Sequence, residues 1–246
     1  MTNREIMEYD VVVVGAGPSG LSAAIKLKQL TKEANKELSV CVIEKGSEVG
    51  AHIVSGAVIE TKALDELIPD WKTKNSPLKT EAKNDKFLYL TETKSYQLPT
   101  PPQMHNKGNY IISLSDFTKW LAQQAEELEV EIYPGFSASE VLYDENNKVV
   151  GVATCDMGKF KDGSEGPNFE RGIELRAKQT IFSEGCRGHL GKTLMEKFNL
   201  NTENSPQTYG IGIKELWEIS PDKSKPGSIM HTTGWPLDND TYGGSF

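Results

Sequence analysis

Residues 9–24 read YDVVVVGAGPSGLSAA, and this stretch decides the fold class. The run of valines predicts a strand that is buried on both faces, as strands of parallel sheets are. A G-x-G-x-x-G pattern follows, in which Gly15 makes a tight turn, Gly17 lets the backbone approach a ligand, and Gly20 lets helix and strand pack closely. Pro18 suits the first turn of a helix, where its missing N–H is not needed. We therefore predict a strand, a glycine turn and a helix whose N terminus binds a diphosphate group.

An acidic residue ends the next predicted strand, which covers residues 38–43. Glu44 is placed to accept hydrogen bonds from the hydroxyl groups of an adenosine ribose. It follows Gly20 by 24 positions, slightly further than is usual, and we attribute the extra length to a polar loop at residues 31–37. A carboxylate here would repel the 2′-phosphate of NADP, although the neighbouring Lys45 weakens that argument. The alternative is a tight glycine turn in an α/β protein that binds no nucleotide.

A second motif lies at residues 179–192, which read QTIFSEGCRGHLGK. It predicts a buried strand that runs into the turn formed by Glu184 and Gly185, followed by a helix at residues 190–198. The pattern resembles the aspartate–glycine motif of FAD-dependent hydroxylases and reductases, with glutamate in place of aspartate. In those proteins the motif returns the chain to the flavin, where the acid can reach the ribityl chain or the pyrophosphate. An ordinary strand-to-helix turn is the alternative, but the pairing with the first motif favours FAD over a nicotinamide cofactor alone.

Length, charge and cysteine usage restrict the classes of function. A chain of 246 residues suffices for one large domain or two small ones, and a net charge of -8 disfavours nucleic acid as a partner. Cys41, Cys155 and Cys186 lie too far apart to indicate a zinc or cluster site. No apolar run reaches membrane-spanning length, and the first residues resemble neither a signal peptide nor a transit peptide. We therefore expect a cytosol-like location, with attachment to a membrane surface still open.

The rest of the chain predicts two groups of elements. Before residue 204 we predict a strand pair at 87–90 and 96–98, a strand at 110–113, a helix at 115–128, a parallel strand at 130–133, a hairpin of 138–143 with 148–155, a mobile loop at 157–168 and a third antiparallel strand at 169–175. After it we predict antiparallel strands at 209–217, 228–235 and 241–246. Because a strand rarely ends a protein without a partner, we expect the chain to be a fragment of a longer protein.

These elements predict an α/β fold in two parts. Residues 1–204 are expected to form a Rossmann-like FAD domain of the two-dinucleotide-binding type, with a β-meander insertion, completed by sequence outside this chain. Residues 205–246 are expected to begin an antiparallel-β domain that faces the substrate, a quinone under the family resemblance described next.

Six short blocks make a family resemblance specific. They are GAGPSGLSAA, EKGSEVGAHIVSGAVIE, HNKGNYIISL, PQTYGIGIKELW, HTTGWPLD and TYGGSF. Together they resemble the electron transfer flavoprotein–ubiquinone oxidoreductase family over essentially the whole chain. The resemblance implies an FAD-dependent oxidoreductase that takes electrons from reduced electron transfer flavoprotein and passes them to ubiquinone in the membrane. It also implies a [4Fe–4S] cluster in the full-length protein, whose cysteine ligands are absent from this chain.

Carried over position by position, the resemblance assigns two binding sites. The residues that it predicts to contact FAD are Gly15, Ala16, Gly17, Pro18, Ser19, Gly20, Glu44, Lys45, Gly50, Ser55, Gly56, Glu184 and Gly185. Gly243 and Gly244 are predicted to lie beside the quinone head group, where missing side chains let backbone N–H groups approach a carbonyl. Residues 49–70 match a region at the membrane surface, which implies peripheral attachment. The lack of a transit peptide favours the cytoplasmic face of a bacterial inner membrane. No catalytic side chain is predicted, because the flavin carries the chemistry.

Other functions remain open. A cluster-free FAD reductase or hydroxylase of the same fold, such as a geranylgeranyl reductase, would react with NAD(P)H and a small or lipid substrate. An electron-carrier subunit would keep its cluster on a separate ferredoxin-like chain, and a plain nucleotide-binding module would have no redox role. For residues 49–71, a loop and short helix that cover the core are the alternative to a membrane surface. The fragment alone is not expected to complete the electron path.

Overall fold

The computed structural model describes residues 4–54, 56–202, 205, 207–237, 240–241 and 243–245. These residues fall into two compact units. The first lies within Met1–Ile53 and Thr118–Ile211, and the second lies within Val54–Phe117 and Gly212–Phe246. Each unit contains its own sheets, so each is described by itself.

The strands and helices are numbered in chain order. They are β1 (Ile6–Val14), α1 (Pro18–Glu33), β2 (Val40–Glu44), β3 (Ala57–Ile59), α2 (Lys62–Leu67), β4 (Thr80–Glu81), β5 (Asn84–Leu90), β6 (Ser95–Leu98), β7 (Tyr110–Ile112), α3 (Leu114–Glu126), β8 (Glu131–Pro134), β9 (Ala138–Tyr143), β10 (Val149–Thr154), β11 (Met157–Lys159), β12 (Glu165–Glu170), β13 (Glu174–Phe182), α4 (His189–Lys197), β14 (Ser228–Gly234) and β15 (Gly244–Ser245). A short 3-10 helix covers Pro102–Met104.

The first unit is organised around a six-stranded sheet in the order β8-β2-β1-β13-β10-β9. The four strands β8, β2, β1 and β13 are parallel to one another, which confirms the Rossmann-like prediction for this part of the chain. Val12 and Val13 are completely buried in β1, as the valine run predicts for a strand covered on both faces. The predicted polar loop at 31–37 is shorter than expected, because α1 continues to Glu33.

The insertion in this sheet differs in detail from the predicted meander. The hairpin of β9 and β10 is present, and β10 then pairs antiparallel with the first residues of β13. The predicted strand at 169–175 is wrong as a single element, because residues 171–173 separate β12 from β13. Asp156 and Thr154 explain the break: the Asp156 carboxylate accepts from the Gly172 N–H at 2.9 Å, and the Thr154 hydroxyl accepts from the Ile173 N–H at 2.9 Å. The segment at 157–168, predicted as a loop, contains β11 and the start of β12, which form an antiparallel pair.

The second unit contains a sheet in the order β15-β14-β5-β6 and a smaller sheet in the order β3-β7-β4. The predicted strand pair at 87–90 and 96–98 is confirmed as β5 and β6. β14 and β15 are antiparallel, as predicted, but β14 runs parallel to β5 over seven residue pairs. This pairing joins residues 54–117 to the part after residue 212 in one compact unit, whereas residues 54–117 were expected in the first part of the chain.

Residues 209–217 do not form the predicted strand. Ile211, Ile213 and Leu216 are exposed, and no strand in the described part of the chain pairs with them. Without a hydrogen-bonded neighbour or a buried face, an alternating sequence has nothing that fixes it as a strand. Among the described helices, none has the length and apolar character needed to cross a bilayer.

Candidate nucleotide-binding site

The three glycines of the first motif have different surroundings. Gly15 has φ +104°, and a Cβ atom built there would lie 2.5 Å from the carbonyl oxygen of Ser183. At Gly20 an added Cβ would lie 2.1 Å from the carbonyl oxygen of Gly15. At Gly17 it would meet no atom within 4 Å. Gly15 and Gly20 are therefore required by the fold itself, whereas Gly17 leaves open space in front of the helix.

The N terminus of α1 is open to an anion. Gly17 is the N-cap residue, with φ -76° and ψ 175°, and Pro18 occupies the first helical turn. No side chain caps this terminus, and its first turn contains no acidic residue. The backbone N–H groups of the first turn and the positive end of the helix dipole are therefore not occupied by a carboxylate of the cap or of the first turn. Ala16 is buried just before the cap, and Ser19 lies in the first turn.

Glu44 lies at the end of β2 and bridges two turns. Its Oε2 accepts a hydrogen bond from the Ala16 N–H at 3.1 Å, and its Oε1 accepts one from the Gly46 N–H at 2.8 Å. The structure therefore brings Glu44 against the glycine turn, as the fingerprint predicts. A carboxylate offers about four lone-pair sites, so these two bonds leave acceptor capacity for ribose hydroxyls. The adjacent Lys45 is exposed, and Gly50 is buried with φ +87°.

The second motif meets the first through the backbone. The Ser183 N–H donates to the Val14 carbonyl oxygen at 2.8 Å, which places the turn after β13 beside the turn after β1. Ser183 also lies beside Gly20. A Cβ atom built on Gly20 would lie 3.2 Å from the Cβ atom of Ser183. Sequence reasoning missed Ser183, because its position between two glycine turns follows from the pairing of β1 with β13.

Glu184 has a role that the sequence did not predict. Its Oε2 accepts from the Gly191 N–H at 2.7 Å and its Oε1 from the Leu190 N–H at 3.3 Å, at the start of α4. The N-cap residue of α4 is Gly188, which has no side chain to do this. The carboxylate also lies 3.5 Å from Nδ1 of His189, and the Glu184 side chain is only 12% exposed. Glu184 therefore caps α4 from the neighbouring turn, while Gly185 after it has φ +78°.

The remaining predicted residues lie in the second unit, except Ser55, which lies outside the described residues. Gly56 has φ +87° and open space where a side chain would be, and its carbonyl oxygen accepts from Lys214 Nζ at 2.5 Å. At Gly243, φ is +133° and a Cβ would lie 2.8 Å from the Thr232 carbonyl oxygen. A Cβ at Gly244 would lie 3.2 Å from the Thr232 hydroxyl. The glycine pair is thus packed directly on β14.

A hydrogen-bonded acid in the edge strand β8 was also missed. The hydroxyls of Tyr9 and Tyr133 both donate to Oε2 of Glu131, at 2.8 and 2.6 Å. Burial raises the pKa of Tyr9, and burial raises the pKa of the nearby Cys41 thiol to about 12. Tyr9 and Cys41 belong to the core of the first unit and Tyr133 packs against it, whereas Glu131 is exposed. Within the described residues, no group of three or more His, Cys, Asp or Glu side chains could hold a metal ion.

Together these features fit the nucleotide end of FAD. The open start of α1 suits a diphosphate, the space at Gly17 allows close approach, and Glu44 sits where a ribose would lie. No acid or side chain of the described residues fills the space in front of Gly17. The cysteines, in contrast, do not fit an iron–sulfur cluster, because Cys41 is buried alone and the three are separate free thiols.

Comparisons with known proteins agree with this arrangement. The family model "Thi4 family" matches residues 2–67, and the model "ETF-QO, ubiquinone-binding" matches residues 209–246. The chain is 62% identical to the mitochondrial electron transfer flavoprotein-ubiquinone oxidoreductase of Dictyostelium discoideum, over 99% of this chain and 40% of that protein. It is 57% identical to the protein of the same name from Pseudomonas aeruginosa, over 99% of this chain and 45% of that protein. The chain therefore spans less than half the length of these relatives.

Solved structures show the fold alone. A geranylgeranyl bacteriochlorophyll reductase-like protein from Thermoplasma acidophilum matches with a TM-score of 0.57 and 19% identity, over 94% of this chain and 51% of that chain. A flavin-dependent brominase matches with a TM-score of 0.51 and 19% identity, over 78% of this chain and 41% of that chain. The predicted α/β fold class is confirmed by these neighbours.

Proposed function

Because the resemblance to electron transfer flavoprotein–ubiquinone oxidoreductases is confirmed over nearly the whole chain, we propose that this chain is the flavin-binding part of such an enzyme. The proposed reaction takes electrons from reduced electron transfer flavoprotein and passes them to ubiquinone. The observation that carries the proposal is the alignment over 99% of the chain at 62% identity. The two family models, one at each end of the chain, support the same assignment.

FAD would supply the electron-accepting chemistry, and the chain would hold and orient it. The N-terminal N–H groups of α1 would bind the diphosphate, since no side chain competes for them. Glu44 would accept from the ribose while it keeps its bonds to Ala16 and Gly46, which fix the carboxylate in place. Its negative charge disfavours a 2′-phosphate, so the site selects against NADP. The proposal extends this FAD site to Lys45, Gly50, Ser55, Gly56, Glu184 and Gly185.

The quinone is proposed to bind beside Gly243 and Gly244. Support comes from the ubiquinone-binding family model, whose match over residues 209–246 includes this pair, and from their glycine character. A side chain at either position would meet β14, and at Gly243 it would be strained by the positive φ as well. The fold therefore keeps the backbone of this pair bare, as close approach of a flat ring requires.

Peripheral membrane attachment through residues 49–70 is part of the proposal, on the cytoplasmic face of a bacterial inner membrane. Val54 is 66% exposed and Val58 is 38% exposed, which gives this segment an apolar surface. Trp71 does not contribute, because it is only 2% exposed and its Nε1 donates to Asp65 Oδ1 at 2.7 Å. Replacing Val54 and Val58 with serine should move the full-length protein from vesicles of anionic lipid to the soluble fraction. If the variant still sediments with the vesicles, these valines do not contribute to membrane contact.

The proposed [4Fe–4S] cluster belongs to sequence outside this chain. Its ligands are not among Cys41, Cys155 and Cys186, which are free and separate. Iron and acid-labile sulfide analysis of the full-length protein tests this part independently of the flavin. A flavoprotein without iron would favour the cluster-free alternative.

The decisive experiment uses the full-length protein. Reduced electron transfer flavoprotein and a short-chain ubiquinone are mixed with it, and quinol formation is followed together with the flavin spectrum. We expect quinol to form only when the full-length protein, reduced electron transfer flavoprotein and the ubiquinone are all present. Reduction of the bound flavin by NAD(P)H without electron transfer flavoprotein would instead indicate a reductase or hydroxylase. Flavin reduction without quinol formation would indicate a carrier subunit.

A further inference from the structure

A histidine and an almost buried acid face each other in the sheet that carries the proposed quinone site. His231 lies in the middle of β14 and Asp85 lies in β5. The two strands pair in parallel, with Ile229 opposite Asp85 and His231 opposite Phe87. Side chains alternate along a strand, so Asp85 and His231 project from the same face of this sheet. Nε2 of His231 lies 4.0 Å from Oδ1 of Asp85.

The hydrogen bonds of this cluster hold the acid but not the histidine. Oδ1 of Asp85 accepts from Asn106 Nδ2 at 2.7 Å, and Oδ2 accepts from the Asn106 N–H at 2.8 Å. The Asp85 side chain is 9% exposed, so its position is fixed and little solvated. Nε2 of His231, in contrast, is buried and has no hydrogen-bond partner among the described residues. An unpaired buried polar atom is costly, and a role that needs a free histidine explains why it is kept.

The cluster is adjacent to the glycine pair. β14 pairs antiparallel with β15, with Thr232 opposite Gly244 and His231 opposite Ser245. His231 therefore directly precedes Thr232, the residue of β14 that contacts Gly243 and Gly244. It is also the one histidine of the segment that the ubiquinone-binding model matches, residues 209–246. Its register partners on both sides, Phe87 and Ser245, are uncharged residues, so Asp85 is the charged group set against it.

Reducing a quinone to a quinol requires two electrons and two protons. The electrons would come from the donor of the proposed function, but a proton source at the quinone has not been assigned. We propose that His231, which lies beside Asp85, delivers the proton to one of the two quinone oxygens. This inference rests on the proposed function. An N–H bond of the protonated imidazole breaks and an O–H bond forms on that reduced oxygen. The second oxygen takes its proton from solvent, and the imidazole is then reprotonated from solvent.

The acid faces one edge of the histidine ring. Nε2 of His231 lies 4.0 Å from Oδ1 of Asp85, within ion-pair distance. The His231 side chain is 21% exposed although Nε2 is buried, so part of the ring remains reachable. Asp85 acts through the histidine and is a positioning residue.

The test compares two electron acceptors in the full-length enzyme. Ubiquinone needs protons, whereas ferricenium accepts an electron without one. His231→Gln is expected to slow quinone reduction about 100-fold, the typical contribution of a general acid, and to leave ferricenium reduction within twofold. His105→Gln is the matched control, because His105 is an exposed histidine of the same unit, and it should change neither rate.

Asp85→Asn provides a second, independent variant. It keeps an oxygen that can accept from Asn106 but removes the charge beside His231. Quinone reduction should then be slower than in the wild type, with ferricenium reduction again unchanged. Flavin content of each variant shows whether it has folded.

Each outcome of these measurements supports or overturns the proposal. An unchanged quinone rate in His231→Gln overturns the proposal, and so does an equal loss with both acceptors, which would mean a structural role. If His231→Gln does not fold, an unchanged quinone rate in Asp85→Asn overturns it alone. If the wild-type enzyme reduces ferricenium but no quinone, the proposed function itself fails, and this result is distinct from a defect confined to the variants.

Discussion

Replacing Gly17 and Gly20 separately with alanine should divide the glycine motif into a ligand function and a folding function. In the structure, a Cβ at Gly20 would lie 2.1 Å from the Gly15 carbonyl oxygen and 3.1 Å from Val13 Cγ1, so the turn or the helix must move. A Cβ at Gly17 would meet no protein atom within 4 Å, and its φ of -76° is one that alanine adopts readily. The same chemical change is thus made three residues apart in opposite surroundings.

The magnitudes follow from these distances. Overpacking of this kind costs about 1–3 kcal/mol, so Gly20→Ala should destabilise the flavin-free protein by that amount. At Gly17 two small terms oppose each other: alanine is a poorer N-cap than glycine by roughly 0.5–1 kcal/mol, but it restricts the unfolded chain by about 0.4–1 kcal/mol. The net change in stability should be near zero. If the methyl group blocks one charge-assisted hydrogen bond to the diphosphate, FAD affinity should fall by about 1.5–3 kcal/mol, or roughly 10- to 150-fold.

The assay measures both quantities on each variant. Chemical unfolding of the flavin-free full-length protein gives stability, and quenching of FAD fluorescence gives the dissociation constant. Gly17→Ala should weaken FAD binding and leave unfolding unchanged, whereas Gly20→Ala should shift both. The reasoning is refuted if Gly17→Ala destabilises the flavin-free protein as much as Gly20→Ala does, or if Gly17→Ala binds FAD as tightly as the wild type.

Three further predictions concern single side chains. Glu184→Ala should destabilise the protein by about 0.5–2 kcal/mol, the usual effect of losing a helix cap. Hydrogen exchange should become faster at the first amides of α4, and faster exchange elsewhere instead would contradict the capping role. Cys41 should resist thiol reagents at pH 8 in the native protein while the exposed Cys186 reacts, because burial raises the Cys41 pKa to about 12; labelling of both at similar rates would contradict this. The hydrogen bond from Lys178, followed by those from Ser39, lowers the Asp10 pKa from 3.8 to about 2. Asp10→Asn should therefore be less stable than the wild type above pH 4. In unfolding titrations this difference should disappear as the pH falls toward 2.

The parts of the fold that could be predicted are those fixed by local sequence. The valine run, the glycine turn and the proline at the helix start each impose one backbone conformation, and β1, the turn and α1 lie where they indicate. The pairing of β5 with β14 could not be predicted, because the two strands are separated by more than 130 residues and neither carries a sequence signal for the other. For this reason the structure groups residues 54–117 with residues 212–246, whereas the sequence placed them with the first part of the chain.

The candidate site shows the same limit. Glu44 and Glu184 could be recognised from their positions after buried strands, but their present partners could not. Glu44 bonds to Ala16 because β2 lies beside β1, and Glu184 caps α4 because Gly188 supplies no cap. Lys214 was missed entirely, since its contact with Gly56 joins two distant stretches of the second unit. Contacts of this kind depend on the assembled fold rather than on any short motif.

The two helices that follow β1 and β13 differ in a way that decides where a diphosphate can bind. β1 and β13 are neighbouring parallel strands, so α1 and α4 both begin at the same edge of the sheet, and both could offer N–H groups to an anion. At α4 those groups already bind the carboxylate of Glu184, which would repel a second negative charge. At α1 no carboxylate is present in the cap or the first turn. For the proposed FAD site, this difference favours the N terminus of α1 over that of α4 as the place where the diphosphate would bind.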